Sequence, residues 1–173
     1  MGNKKYYDIV LRCDAKKEVG FGHLQRCLDL AQELFKGDPH RNLAFKGQYS
    51  KEALGLIKKY FPLIQIHNSG DHVNGLVGVM DMMFDPLDPE YYDRKVIEEF
   101  GRTVLKTILL TSSRKAPPPL KVDMVIGYLL DEITKGETNY ILFEGLKYTP
   151  ISEDFKPNET RMRNGKIENI LIA

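Results

Sequence analysis

Short apolar runs recur along this chain, and most are separated by a stretch whose apolar residues fall at helical spacing. Ile9-Val10-Leu11 is the first run, with the β-branched character that strands favour. Leu24, Cys27, Leu28, Ala31, Leu34 and Phe35 then recur in the three-and-four rhythm of an amphipathic helix. Residues 42–45 predict a second strand, and Ser50 can cap a helix carrying Ala53, Leu54, Ile57, Tyr60 and Phe61. Pro62 stops that helix, and 63–66 predicts a third strand. The run 76–81 predicts a fourth, buried on both faces and ending in Asp81. Asp88-Pro89-Glu90 opens another helix that Gly101 ends, and further strands are expected over 104–110, 122–126 and 140–143. Strands alternating with helices predict an α/β fold, a Rossmann-like parallel sheet with helices on both faces. Ligands in such sheets bind at the carboxyl ends of the strands.

A length of 173 residues suits one domain with a sizeable core, or one domain plus a terminal extension. Residues 1–150 are expected to form the Rossmann-like domain, with a stiff connector at Pro117-Pro118-Pro119. Residues 151–173 are expected to be a polar linker followed by one more strand at 167–172. The formal net charge of +1 gives no basic field for nucleic acid or an acidic membrane surface. No apolar run approaches the ~20 residues of a membrane span. The opening Met-Gly-Asn-Lys-Lys leads into no signal peptide, and Tyr6 stands where myristoylation needs Ser or Thr. A cytoplasmic protein is expected. Cys13 and Cys27 read as small core residues without metal-ligand spacing, so no metal is expected.

Chemistry concentrates between the first strand and the first helix. Arg12 and Asp14 follow the strand, and Gly20-Phe21-Gly22-His23 leads into the helix, with Arg26 one turn on. Gly20 and Gly22 allow backbone angles and close approaches that a side chain would forbid. The helix start aims its N–H groups outward, where anionic ligands are favoured. His23 in that field is expected to stay neutral, as a general base requires. Asp81 stands at the same edge of the sheet, either as an active-site carboxylate or as the residue that begins a loop. His40, His67 and His72 lie in separate turns and are expected at the surface. Met80, Met82, Met83 and Phe84 read as packing residues, and Arg114 and Lys115 as solvated. A dinucleotide fingerprint would place a third glycine where Gln25 stands, and the second strand ends near Lys46 instead of an acid for a ribose. No Gly-Lys-Ser or Gly-Lys-Thr phosphate loop occurs, so no nucleotide cofactor is expected.

The pattern Arg12-x-Asp14, Val19-Gly20-Phe21-Gly22-His23, Arg26 and Leu28-x-Leu30-Ala31 resembles the opening of the nucleotide-sugar hydrolases of pseudaminic acid biosynthesis, which are grouped with spore coat polysaccharide biosynthesis proteins. The motif lies within residues 1–35, and the match beyond it is looser. The resemblance implies the N-terminal half of a glycosyltransferase-B-like architecture, in which two Rossmann-type domains enclose the active site. It implies His23 as the base that activates water to attack the anomeric carbon of a UDP-amino-sugar, releasing UDP with inversion. It also assigns Gly20 and Gly22 to close backbone approach, and Arg12, Asp14 and Arg26 to shaping the sugar side of the cleft or orienting the histidine, with Asp81 expected among the substrate-binding residues.

Two departures bear on that reading. An aromatic hydroxyl that the family carries just after the aspartate matched by Asp81 is missing from Met82-Met83-Phe84. The run Ile170-Leu171-Ile172 resembles the first strand of the family's second, nucleotide-binding domain. A chain ending there is expected to need that domain as a partner, to catalyse little alone, and to self-associate through apolar faces at 140–143 and 167–172. A transferase of the same fold, with His23 deprotonating a sugar hydroxyl, is the alternative. A non-catalytic sugar-binding or interaction module is the second alternative.

Overall fold

β1 spans Tyr6–Arg12, and its Val10 and Leu11 are wholly buried. The structure is a computed structural model and describes residues 6–81, 94–111, 120–127 and 140–144. After β1 come α1 (Gly22–Gly37), β2 (Leu43–Gly47), α2 (Lys51–Tyr60), β3 (Gln65–Asn68) and β4 (Asn74–Asp81). α3 (Arg94–Gly101), β5 (Val104–Thr111), β6 (Met124–Gly127) and β7 (Ile141–Glu144) complete the described elements.

All seven strands pair in parallel, in the order β3-β2-β1-β4-β5-β6-β7. This is the expected Rossmann-like arrangement. Strand order reverses between β1 and β4, the point at which a doubly wound sheet opens a crevice at its carboxyl edge.

Alternation along each strand sends side chains to two separate cores. On one face Ile9 and Leu11 of β1 and Val79 of β4 pack under Leu24, Cys27, Leu28 and Ala31 of α1 and Ala53 and Ile57 of α2. On the other face Val10, Ala44 and Met80 pack with Ile97 and Phe100 of α3. Helices therefore cover both faces. Gly78 belongs to the α3 face, where an added Cβ would meet the Phe100 ring at 2.5 Å. That close approach is the reason for a glycine in mid-strand.

Several expected boundaries move. Ser50 caps α2 as its position predicts, with Oγ accepting the Ala53 N–H at 3.2 Å. The third strand begins two positions later than apolar character suggests, because ladder pairing with β2 runs from Gln65 and leaves Leu63 91% exposed. β4 is buried only in its second half, since Leu76 near its start is 44% exposed. β6 and β7 also begin later than the apolar runs do, at Met124 and Ile141. His67 is a correction: it lies in β3, half-buried, with Nε2 at 2.9 Å from the Tyr7 hydroxyl. Cys13 and Cys27 are both buried, as expected of core residues. The expected helix start at Asp88, the proline connector and the 151–173 segment lie outside the described residues.

Candidate functional site

The loop after β1 turns into α1 through Gly20, whose φ of +78° is the left-handed conformation that glycine adopts without penalty. Gly22 has no such need. It is the first helical residue, and a Cβ there would meet only Arg26 Nη1, at an ordinary 3.7 Å. Nothing within the described chain requires glycine at that position. Phe21 is the N-cap and supplies no side-chain hydrogen bond, so the first amides of α1 have no side-chain acceptor among the described residues. They open at the carboxyl edge of the sheet, close to the β1–β4 switch point.

His23 follows directly, and helical geometry stacks Arg26 one turn above it. Both reach Asp81, the last residue of β4. Asp81 follows Val77 and Val79 in the alternation, so its carboxylate emerges on the α1 face. Its side chain is fully buried, His23 is 7% exposed, and the Arg26 side chain is 21% exposed. Arg26 holds Asp81 with two donors, Nε to Oδ2 at 2.7 Å and Nη2 to Oδ1 at 2.9 Å. His23 Nδ1 lies 2.6 Å from Asp81 Oδ1 and 2.7 Å from Arg26 Nη2.

With its proton on Nδ1 the ring donates to Asp81 Oδ1 and Nε2 carries the lone pair; with the proton on Nε2, Nδ1 instead accepts from Arg26 Nη2. Nε2 has no hydrogen-bond partner among the described residues. A histidine oriented through Nδ1 by a buried carboxylate, with Nε2 unengaged, is arranged to accept a proton. Arg26 balances the charge of Asp81, so the trio buries no net charge while the ring is neutral.

The other sequence candidates go elsewhere. Arg12 is 7% exposed and pairs with Asp14, Nη1 to Oδ1 at 2.6 Å and Nη2 to Oδ2 at 3.4 Å. By alternation from Val10, Arg12 belongs to the α3 face, across the sheet from His23. Asp14 Oδ1 also accepts the Gln48 N–H at 2.7 Å, which ties the loop after β1 to the loop after β2. Arg26 and Asp81 thus gather around His23, while Arg12 and Asp14 form a second pair with a structural bond of its own.

Beneath α1, Cys13 Sγ and the Tyr49 hydroxyl share a hydrogen bond at 3.8 Å. A hydrogen bond with Cys13, followed by burial, pushes the Cys27 thiol well up. Burial and the nearby Cys13 push the Tyr49 phenol up as well. Neither Cys27 nor Tyr49 is activated as a nucleophile. Sequence reasoning missed Lys46 as a buried charge and left Asp81 undecided. The pairing of Asp81 with His23 spans 58 positions and depends on β4 lying beside β1, which no local pattern reveals. Comparison of the chain with protein-family models, with curated proteins and with solved structures found no match in any of the three.

Proposed function

We propose that this chain is the sugar-side domain of a nucleotide-sugar hydrolase acting on UDP-amino-sugars in surface polysaccharide or nonulosonic acid (pseudaminic acid-type) biosynthesis. The observation that carries this reading is His23, oriented through Nδ1 by buried Asp81, with Nε2 meeting no hydrogen-bond partner among the described residues, beside an open helix start. The resemblance of the Arg12 to Arg26 motif supplies the substrate class.

In this mechanism a water molecule gives a proton to His23 Nε2 while its oxygen bonds to the anomeric carbon. The bond from that carbon to the phosphate oxygen breaks, and its electron pair leaves with UDP, inverting the centre. Asp81 faces the imidazolium that forms and holds the ring in place. Gly22, where a Cβ would make only an ordinary contact with Arg26, leaves room for a substrate atom against the backbone. The nucleotide is gripped by a second domain, as the family resemblance implies, and the reading calls for no cofactor.

The test is UDP release from a panel of UDP-amino-sugars, using the chain alone and mixed with a supplied nucleotide-binding domain. Release should require the second domain and fall by about 10²–10⁴-fold in His23→Ala. Asp81→Asn should lower kcat more than it raises KM, because it disturbs the base without touching substrate. Release only when a sugar acceptor is added would assign a transferase. Sugar binding with no release in either setting would assign a non-catalytic module.

A further inference from the structure

The α3 face of the sheet carries a second polar cluster at its carboxyl edge. Arg12 of β1 and Lys46 of β2 are ladder partners. Lys46 stands two positions after Ala44, and its Nζ lies 5.9 Å from the centre of the Phe100 ring on α3, which fixes the face. Each residue is 7% exposed. Asp14 is the only anion hydrogen-bonded to the pair among the described residues, and it engages Arg12 alone. The Lys46 ammonium has no hydrogen bond and no ion pair among the described residues. Arg12 keeps its Nε–H and one N–H on each Nη without a protein acceptor there.

Buried charges are ordinarily paired, and buried donors are ordinarily satisfied. Here the one hydrogen-bonded carboxylate among the described residues engages Arg12 alone, and the surplus of N–H groups sits where a parallel sheet receives ligands. We propose that Arg12 and Lys46 form a second ligand site, which takes a phosphoryl group at the carboxyl ends of β1 and β2. The trio of Arg12, Lys46 and Asp14 carries one surplus positive charge. A phosphate monoanion or one phosphate of an ester matches that charge, and its tetrahedral oxygens accept from donors on two strands at once. A carboxylate offers acceptors in one plane and answers fewer of them. Asp14 is itself held by the Gln48 N–H at 2.7 Å, so Arg12 is positioned before any ligand arrives. Asp71 and Glu99 attract Lys46 only through space, and burial beside Arg12 lowers its ammonium below the usual lysine range. The inference stands independently of the role given to His23.

The experiment uses the whole chain and two readouts. First, the Lys46 Nζ resonance of lysine-labelled protein is followed while inorganic phosphate, dimethyl phosphate or acetate is added. The signal should move saturably with a phosphoryl compound, with acetate weaker by about tenfold or more. Tighter binding of inorganic phosphate would make the free anion the ligand, and tighter binding of dimethyl phosphate would make it an ester. A Lys46 signal that stays still, or moves equally with acetate, overturns the proposal whatever any variant does. Second, thermal unfolding is compared for wild type and Lys46→Met. Without phosphate the variant should be at least as stable, since it replaces an unpaired buried charge by an apolar side chain of similar length. With phosphate, wild type should gain melting temperature and the variant should not. A variant less stable than wild type without phosphate would make Lys46 a structural cation on Phe100 and overturn the site.

Discussion

Nδ1 of His23 lies 2.6 Å from Asp81 Oδ1, and the proposed base carries its proton there. Because the Asp81 side chain is fully buried and also takes two donors from Arg26, removing it deletes both of those hydrogen bonds and the His23 contact at once. Asp81→Ala should therefore destabilise the protein by about 3 kcal/mol, read by urea unfolding, as well as disturb the histidine. The two glycines of the turn separate in the same assay. Gly20→Ala forces an L-residue to φ +78° and should lose roughly 1–2 kcal/mol. Gly22→Ala should leave stability nearly unchanged, so any loss of sugar binding there reports contact with ligand. Lys46 gives a pH signature. Burial, with Arg12 adding to it, lowers its folded value, so between that value and the unfolded value of about 10.4 the unfolded chain binds more protons. Stability then rises with pH. Wild type should gain on Lys46→Met across that alkaline window and lose the gain as pH falls through the lowered folded value.

At the scale of elements, the site depends on how helices seat on strands. α1 starts at Gly22 with an uncapped first turn, and its buried face of Leu24, Cys27, Leu28 and Ala31 sets the rotation that aims His23 and Arg26 at β4. α3 docks on the opposite face through Phe100, which lies against Gly78. Gly78→Ala should push α3 outward and lose about 1–3 kcal/mol in chemical unfolding, the usual range for overpacking. Because Lys46 lies near the same Phe100 ring, the variant should also move its resonance, whereas the His23 ring on the other face should be little affected. Equal disturbance at both residues would mean that the two faces are mechanically coupled.

Across the whole molecule, the parallel sheet places two charged clusters at one edge and separates them by face. His23, Arg26 and Asp81 lie on the α1 side, and Arg12, Lys46 and Asp14 on the other. The chain as a whole carries a formal net charge of only +1, so no long-range field steers anions toward either cluster. Phosphate binding at Arg12 and Lys46 should accordingly depend on contact. Its affinity should change little between about 0.05 and 0.3 M sodium chloride, since buried charges are screened less than exposed ones. A steep fall with salt in the same titration would instead indicate binding to exposed lysines.

Local patterning determined the element types. β-branched runs, helical spacing, the Ser50 cap and the glycine turn before His23 each act over a few neighbouring residues, which is why they were legible. The parallel sheet also followed, because strands joined by helical crossovers have few other ways to bury both surfaces. His23 and Arg26 could be paired in advance, being one helical turn apart. The edges of β3 and β4 were not legible, because ladder pairing extends strands through polar residues such as Asn68 and Asn74. Tertiary structure alone brought Asp81 to His23, sent Arg12 to the opposite face and left Lys46 buried without an ion-pair partner among the described residues. The physical reason is common to all three. Strand order and strand parity decide which charges meet, and both arise from pairing between segments far apart in the chain.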